Sequence, residues 1–136
     1  MSIEEIIKST KTIAIIGCSS KYYRTSYQIA KYLDDSGFTI IPVNPNEDSV
    51  LGHTCYPQLS EIPDDIEIDM IDIFRNSRYA AEMVEEVIDW ADETGQKPVI
   101  WTQLGVSSEE AKSLAEENGF TYIEDKCLMV EHRKLS

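Results

Sequence analysis

Cysteine is scarce in this chain. Three occur in 136 residues, at Cys18, Cys55 and Cys127, far apart and in no CxxC pair. That spacing excludes a zinc ribbon and a paired disulfide framework, and a reduced compartment is the simplest setting for such thiols. Histidine is scarcer still. His53 follows a glycine in a loop and His132 lies near the C-terminus, so no Ser/His/Asp set is legible and both read as surface residues. The apolar run at 13–16 is only four residues long, and no run exceeds it, which is far short of a membrane span. Positive charge is also in short supply. Lys and Arg number 12 against 25 Asp and Glu, a net charge of −13, and such a surface repels nucleic acid and anionic membrane. Glu4 and Glu5 stand where a signal peptide carries positive charge, so a cytoplasmic protein is expected. No internal repeat, low-complexity segment or linker breaks the chain. Its length suits one domain, over 1–136, with room for a core.

What is present is an alternation of strand-like and helix-like segments. Strands are expected at about 12–17, 39–43, 69–74, 98–102 and 120–123. Three capping-box patterns, Ser2-x-x-Glu5, Thr25-x-x-Gln28 and Ser107-x-x-Glu110, each predict a helix start. A long helix is expected over 77–93, with Ala80, Val84, Val87, Ile88 and Ala91 at helical spacing and Gly95 beyond its end. Residues 44–68, with Gly52, Pro57 and Pro63, read as a loop with at most a short helical turn. The fold class is therefore α/β: a Rossmann-type, doubly wound three-layer sandwich with a mainly parallel five-stranded sheet.

Such folds bind ligands beyond the carboxyl ends of the strands, where strand order reverses. The first end, Ile16-Gly17-Cys18-Ser19-Ser20, hands a strand to a helix N-terminus. That corner either cradles a phosphate on free N–H groups or merely makes the turn, and these residues alone leave both open. It is not the dinucleotide fingerprint, since Ser19 and Tyr22 stand where second and third glycines would. After the second strand, Asn44-Pro45-Asn46 replaces the acid that would hold a ribose 2′-OH. The next acid is Glu47, which weakens an NAD reading and leaves either a wall tolerant of adenine or an ordinary Asx–Pro turn. Phe74 is placed for a base or for the core, and Arg75 for a phosphate. Lys21, Arg24, Arg75 and Arg78 are the cations an acidic protein could gather around a polyanion; otherwise they make surface ion pairs. Thr102 and Gln103 follow the fourth strand, and a glutamine cannot be a general base. Cys127 lies past the fifth strand, facing the pocket or packed as a small hydrophobe.

In this order the residues resemble the small stand-alone CoA-binding proteins. The resemblance is carried by Ile16-Gly17-Cys18-Ser19, Arg24-Thr25-Ser26, Ile41-Pro42-Val43-Asn44-Pro45, Leu51-Gly52, the stretch from Asp69 through Phe74-Arg75-Asn76-Ser77, Trp101-Thr102-Gln103-Leu104-Gly105 and Glu124-Asp125-Lys126-Cys127. It runs over about 11–133, and the domain is similar to the N-terminal CoA-binding domain of the succinyl-CoA synthetase alpha subunit. The resemblance implies that coenzyme A or an acyl-CoA binds across the strand ends. Gly17, Cys18, Ser19 and Ser20 would meet the pyrophosphate, with Lys21, Arg24 or Arg75 on the 3′-phosphate. Val43, Asn44, Pro45 and Asn46, with Phe74 and Arg75, would flank adenosine. Thr102, Gln103 and Cys127 would lie toward the pantetheine arm. The synthetase's ligase chemistry belongs to a second domain and is not carried over, and Cys18-Ser19-Ser20 departs from its glycine-rich first turn. The expectation is a non-catalytic CoA-binding protein, regulatory or a carrier, with no metal and with any protein partner unidentified. The alternative is an NADP-binding oxidoreductase or sensor. A mixed disulfide between Cys127 and the CoA thiol is a further possibility.

Overall fold

β1 (Thr12–Ile16) takes the centre of the molecule because neither of its faces can be wetted. Ala14 and Ile16 point to one layer and Ile13 and Ile15 to the other, all buried, the pattern of a parallel strand covered on both sides. In the computed structural model, which describes residues 1–135, β1 is flanked by β2 (Thr39–Val43) and by a strand at Met70–Ile73. Between these lies a short antiparallel hairpin, β3 (Ser49–Val50) and β4 (His53–Thr54). The strand Met70–Ile73 is therefore β5, followed by β6 (Val99–Thr102) and β7 (Tyr122–Ile123). The main sheet is parallel throughout, in the order β2-β1-β5-β6-β7. The chain winds outward from β1 to β2, then returns to β1's other side, so strand order reverses between β1 and β5. The doubly wound five-stranded sheet expected from the sequence is the one observed.

The helices cover both faces. α1 (Ile3–Ser9), α2 (Thr25–Asp35) and α5 (Leu128–Arg133) pack with Ile13, Ile15, Met70 and Trp101. α3 (Ala80–Thr94) and α4 (Glu109–Glu117) pack with Ile16, Ile71, Ile73 and Ile100. The capping box at Ser2 forms: the Glu5 N–H donates to Ser2 Oγ at 3.1 Å and the Ser2 N–H reaches the Glu5 carboxylate at 3.4 Å. The other two expected boxes do not. Thr25 is already helical, Arg24 is the cap residue, and Gln28 instead donates its amide to the Tyr22 carbonyl. At α4 the cap is Ser108, whose hydroxyl accepts the Ala111 N–H, while the Ser107 N–H donates to Ser77 Oγ. The helix expected over 77–93 starts later, because Ser77–Tyr79 is a 3-10 turn capped by the Asn76 side chain.

On β5, Asp72 lies between Ile15 of β1 and Trp101 of β6, fully buried, with neither carboxylate oxygen partnered. Burial pushes its carboxyl well above the usual carboxylate range, because a lone charge there has no compensating partner. The folded chain thus holds a proton that the unfolded chain gives up. Asp72's contribution to stability is complete below the ordinary Asp range and is lost as pH rises toward its folded value. Asp72→Asn removes this titration. As pH rises above the ordinary Asp range of about 4, the wild type is expected to lose stability relative to Asp72→Asn, with a limiting slope of about 1.4 kcal/mol per pH unit. Urea unfolding of both proteins over that rise in pH measures it, and parallel profiles would show Asp72 ionised in the fold.

Candidate functional site

Gly17 follows β1 with φ +85°, and a Cβ there would lie 2.6 Å from the Phe74 carbonyl oxygen at the end of β5. Only glycine permits this approach. Its N–H donates to the Val43 carbonyl at 2.8 Å, and the Phe74 N–H donates to the Ile16 carbonyl at 2.9 Å. The ends of β2, β1 and β5 are thereby tied together where strand order reverses.

Two clefts open from this junction. One, of about 210 Å³, lies between Gly17, Val43 and Pro45 on one side and Pro57, Leu59, Met83 and Glu86 on the other. The second, of about 450 Å³, is lined by Thr25, Ile29, Phe74, Gln103, Leu104, Val106 and Cys127. Arg75 lines both. Its guanidinium lies 5.0 Å from the centre of the Tyr79 ring, a stacking that steadies the planar fork. The cation is also felt at Glu86: burial pushes that carboxyl up, while Arg75 pulls it down.

The turn between β1 and α2 is filled by the chain's own groups. The Ser19 N–H donates to Ser26 Oγ and the Lys21 N–H to Ser19 Oγ, both at 3.0 Å. The Ser20 N–H donates to the Glu47 carboxylate at 2.6 Å. A bond from the Ser20 side chain, and then this backbone bond, hold the Glu47 carboxyl below its usual range. A carboxylate thus sits on the donor a phosphate would use.

Several residues singled out from the sequence hold up the site without lining either cleft. Cys18 is buried, and burial pushes its thiol up to about 12, with smaller upward pushes from its neighbours Cys55, Asp72 and Glu47. Its carbonyl accepts the Asn44 amide at 3.0 Å, and Asn44 Oδ1 accepts the Asn46 N–H at 2.9 Å. Thr102 donates its hydroxyl to the Ile123 carbonyl and accepts the Asp125 N–H, fastening the loop after β7. Lys21 and Arg24 are exposed beside the turn. Ile29, Val106 and Glu86 line the clefts but were not singled out from the sequence as site residues, whereas Thr25 and Leu104 stood within the Arg24–Ser26 and Trp101–Gly105 stretches. Ile29 reads in sequence as part of a buried helical stripe, which it also is. Leu104 carried a usable signal, an apolar residue in a strand-end loop, and it is 70% exposed. Glu47 was visible only as the first acid after β2.

A family model described as a CoA binding domain matches residues 11–133. The chain belongs to that family. YneT of Bacillus subtilis (strain 168) is 38% identical over 130 residues, covering 96% of this chain and 91% of that protein. The solved structure of a hypothetical protein from Pyrococcus horikoshii OT3 superposes with a TM-score of 0.87 at 36% identity, covering 98% of this chain and 89% of that one. Acetate–CoA ligase [ADP-forming] II of Archaeoglobus fulgidus is 33% identical over 104 residues, covering 75% of this chain but 15% of the ligase. The chain is therefore similar to only a short part of such a ligase.

If Glu47 competes with a ligand's phosphate for the Ser20 N–H, removing its charge favours the ligand. Glu47→Gln is expected to bind CoA about fivefold more tightly at low salt. Isothermal titration measures this, and weaker binding would show that the carboxylate supports the occupied site.

Proposed function

We propose that this chain, a single CoA-binding unit over 1–136, binds coenzyme A or an acyl-CoA across the ends of β2, β1, β5 and β6. The reading is supported above all by the two clefts that share Arg75. Coenzyme A has an adenosine 3′-phosphate end, a pyrophosphate and a long, weakly polar pantetheine arm. The cleft beside Val43 and Pro45 offers flat, uncharged walls for adenine. The turn at 17–20 offers the Ser20 N–H to the pyrophosphate once Glu47 swings away, with the Ser19 hydroxyl and the Lys21 side chain beside it. The larger cavity, with Ile29, Phe74, Leu104 and Val106, suits the arm and leads it to Gln103 and Cys127.

The reading carries no ligase chemistry. The matched stretch covers 15% of the ligase, and the two clefts are lined by one cation, Arg75, one carboxylate, Glu86, the Gln103 amide and apolar walls, a lining suited to binding. A regulatory or carrier role in the cytoplasm fits such a binder. Among the described residues, no helix is long and apolar enough to cross a membrane, and no group of His, Cys, Asp or Glu could hold a metal ion.

Net charge works against any polyanion here, so the 3′-phosphate depends on local cations. Arg24 and Lys21 stand exposed at the start of α2, and Arg75 stands between the clefts. A charge-assisted hydrogen bond to that phosphate is worth roughly 1.5 kcal/mol or more, so CoA is expected to bind about tenfold more tightly than dephospho-CoA. Arg24→Ala should narrow that gap. Titration calorimetry with both ligands, and with NADPH, provides the test. Equal affinities would remove the cations from the site, and saturable binding of NADPH alone would replace the reading with an NADP-dependent one.

A further inference from the structure

The fold sorts the three cysteines by access. Cys18 is 0% exposed, and Cys55 is buried with its thiol pushed up by burial and its sulfur 3.6 Å from the Asn44 carbonyl. Cys127 is half-buried and lines the larger cavity. Its neighbours are fixed on both sides. The Lys126 carbonyl accepts the Trp101 indole N–H at 2.8 Å, and the Leu128 N–H donates to Gln103 Oε1 at 3.2 Å.

Gln103 supplies a second, independent observation. It is 4% exposed and lines the same cavity. The Leu128 N–H claims its amide oxygen, which settles the orientation of the amide. Its Nε2 is left to the cavity with no acceptor among the described residues. That donor faces the cavity and is available to an acceptor on a ligand that enters it. The pantetheine arm carries an amide carbonyl a few bonds from its terminal sulfur. A hydrogen bond from Gln103 Nε2 to that carbonyl would bring the sulfur toward Cys127.

We propose that Cys127 is a thiol–disulfide exchange site selective for CoA disulfide, an inference that rests on the CoA reading of the cleft. The Cys127 thiolate attacks one sulfur of the disulfide. The bond between the two CoA sulfurs breaks, a Cys127–S–S–CoA bond forms, and the second CoA leaves as a thiolate that takes up the proton Cys127 gave up. Cys127 is oxidised, the departing CoA is reduced, and no other oxidant is required. A small thiol reverses the step by attacking the mixed disulfide.

The test incubates the wild type with CoA disulfide or with glutathione disulfide at equal concentration, follows adduct by intact mass and locates it by peptide mapping. Desulfo-CoA, which lacks the sulfur, serves as an unreactive ligand whose binding is read from thermal unfolding. The expected result is one adduct, on Cys127, formed at least about tenfold faster with CoA disulfide because the bound reactants are held together. Excess desulfo-CoA should suppress it. Cys127→Ser should form none, yet still bind desulfo-CoA. Desulfo-CoA binding without a Cys127 adduct, or with a rate no greater than for glutathione disulfide, overturns the proposal and leaves the binding reading intact. Failure of desulfo-CoA to bind overturns the reading and the proposal together.

Discussion

A side chain at position 17 would collide with the Phe74 carbonyl, so β1 and β5 can end side by side only because residue 17 is glycine. The site depends on that approach. It aligns the Gly17 and Phe74 backbones with β2, and it sends the next residues apart: Cys18 into the core, Ser19 and Ser20 into the turn before α2, Arg75 out between the clefts. A parallel sheet that reverses its strand order always leaves a crevice at that point. Here the crevice is divided, and Arg75 stands at the division.

An acidic protein that binds a polyanion has to manage repulsion when the ligand arrives and unpaired donors when it is absent. Glu47 addresses the second problem, since its carboxylate on the Ser20 N–H keeps the donor satisfied. Under the proposed reading, a phosphate would enter by exchange with this internal anion rather than into open space. Selectivity then favours ligands that bring contacts beyond the phosphate, as one spanning both clefts does. The turn thus connects local backbone geometry to a preference for an extended ligand.

Much of the fold was legible because short β-branched runs end at turn residues, as 13–16 ends at Gly17 and 40–43 at Asn44-Pro45, and because Gly95 and Gly119 close helices in the left-handed conformation. What escaped notice had no local pattern. β3 and β4 are two residues each, too short for alternation to show. α5 is six residues long, below the length at which a helix holds by itself, and it is secured by buried Leu128 and the Gln103 bond. The caps at Thr25 and Ser107 fit a sequence pattern, but Thr25 is already the first helical residue with Arg24 at the cap, and at α4 the next residue, Ser108, takes the cap. Gly17, Arg75, Gln103 and Cys127, which line the clefts, stand in the sequence at strand ends. The Glu47 contact spans 27 residues and only the folded chain shows it. Thr102 and Cys18 share the motifs of the site but serve its frame.

The central claim is that a single ligand occupies both clefts through the turn between them. The most direct measurement is the change in backbone amide chemical shifts when CoA is added under reducing conditions. The account predicts that Ser20 and Lys21, Arg75, and Leu104 with Cys127 shift together along one saturation curve, and that Glu47 moves with them. A larger groove of about 600 Å³ lies at the opposite end of the sheet, lined by Ile7, Lys8, Phe38 and His132 among others. Shifts confined to that groove, or to one cleft alone, would contradict the account.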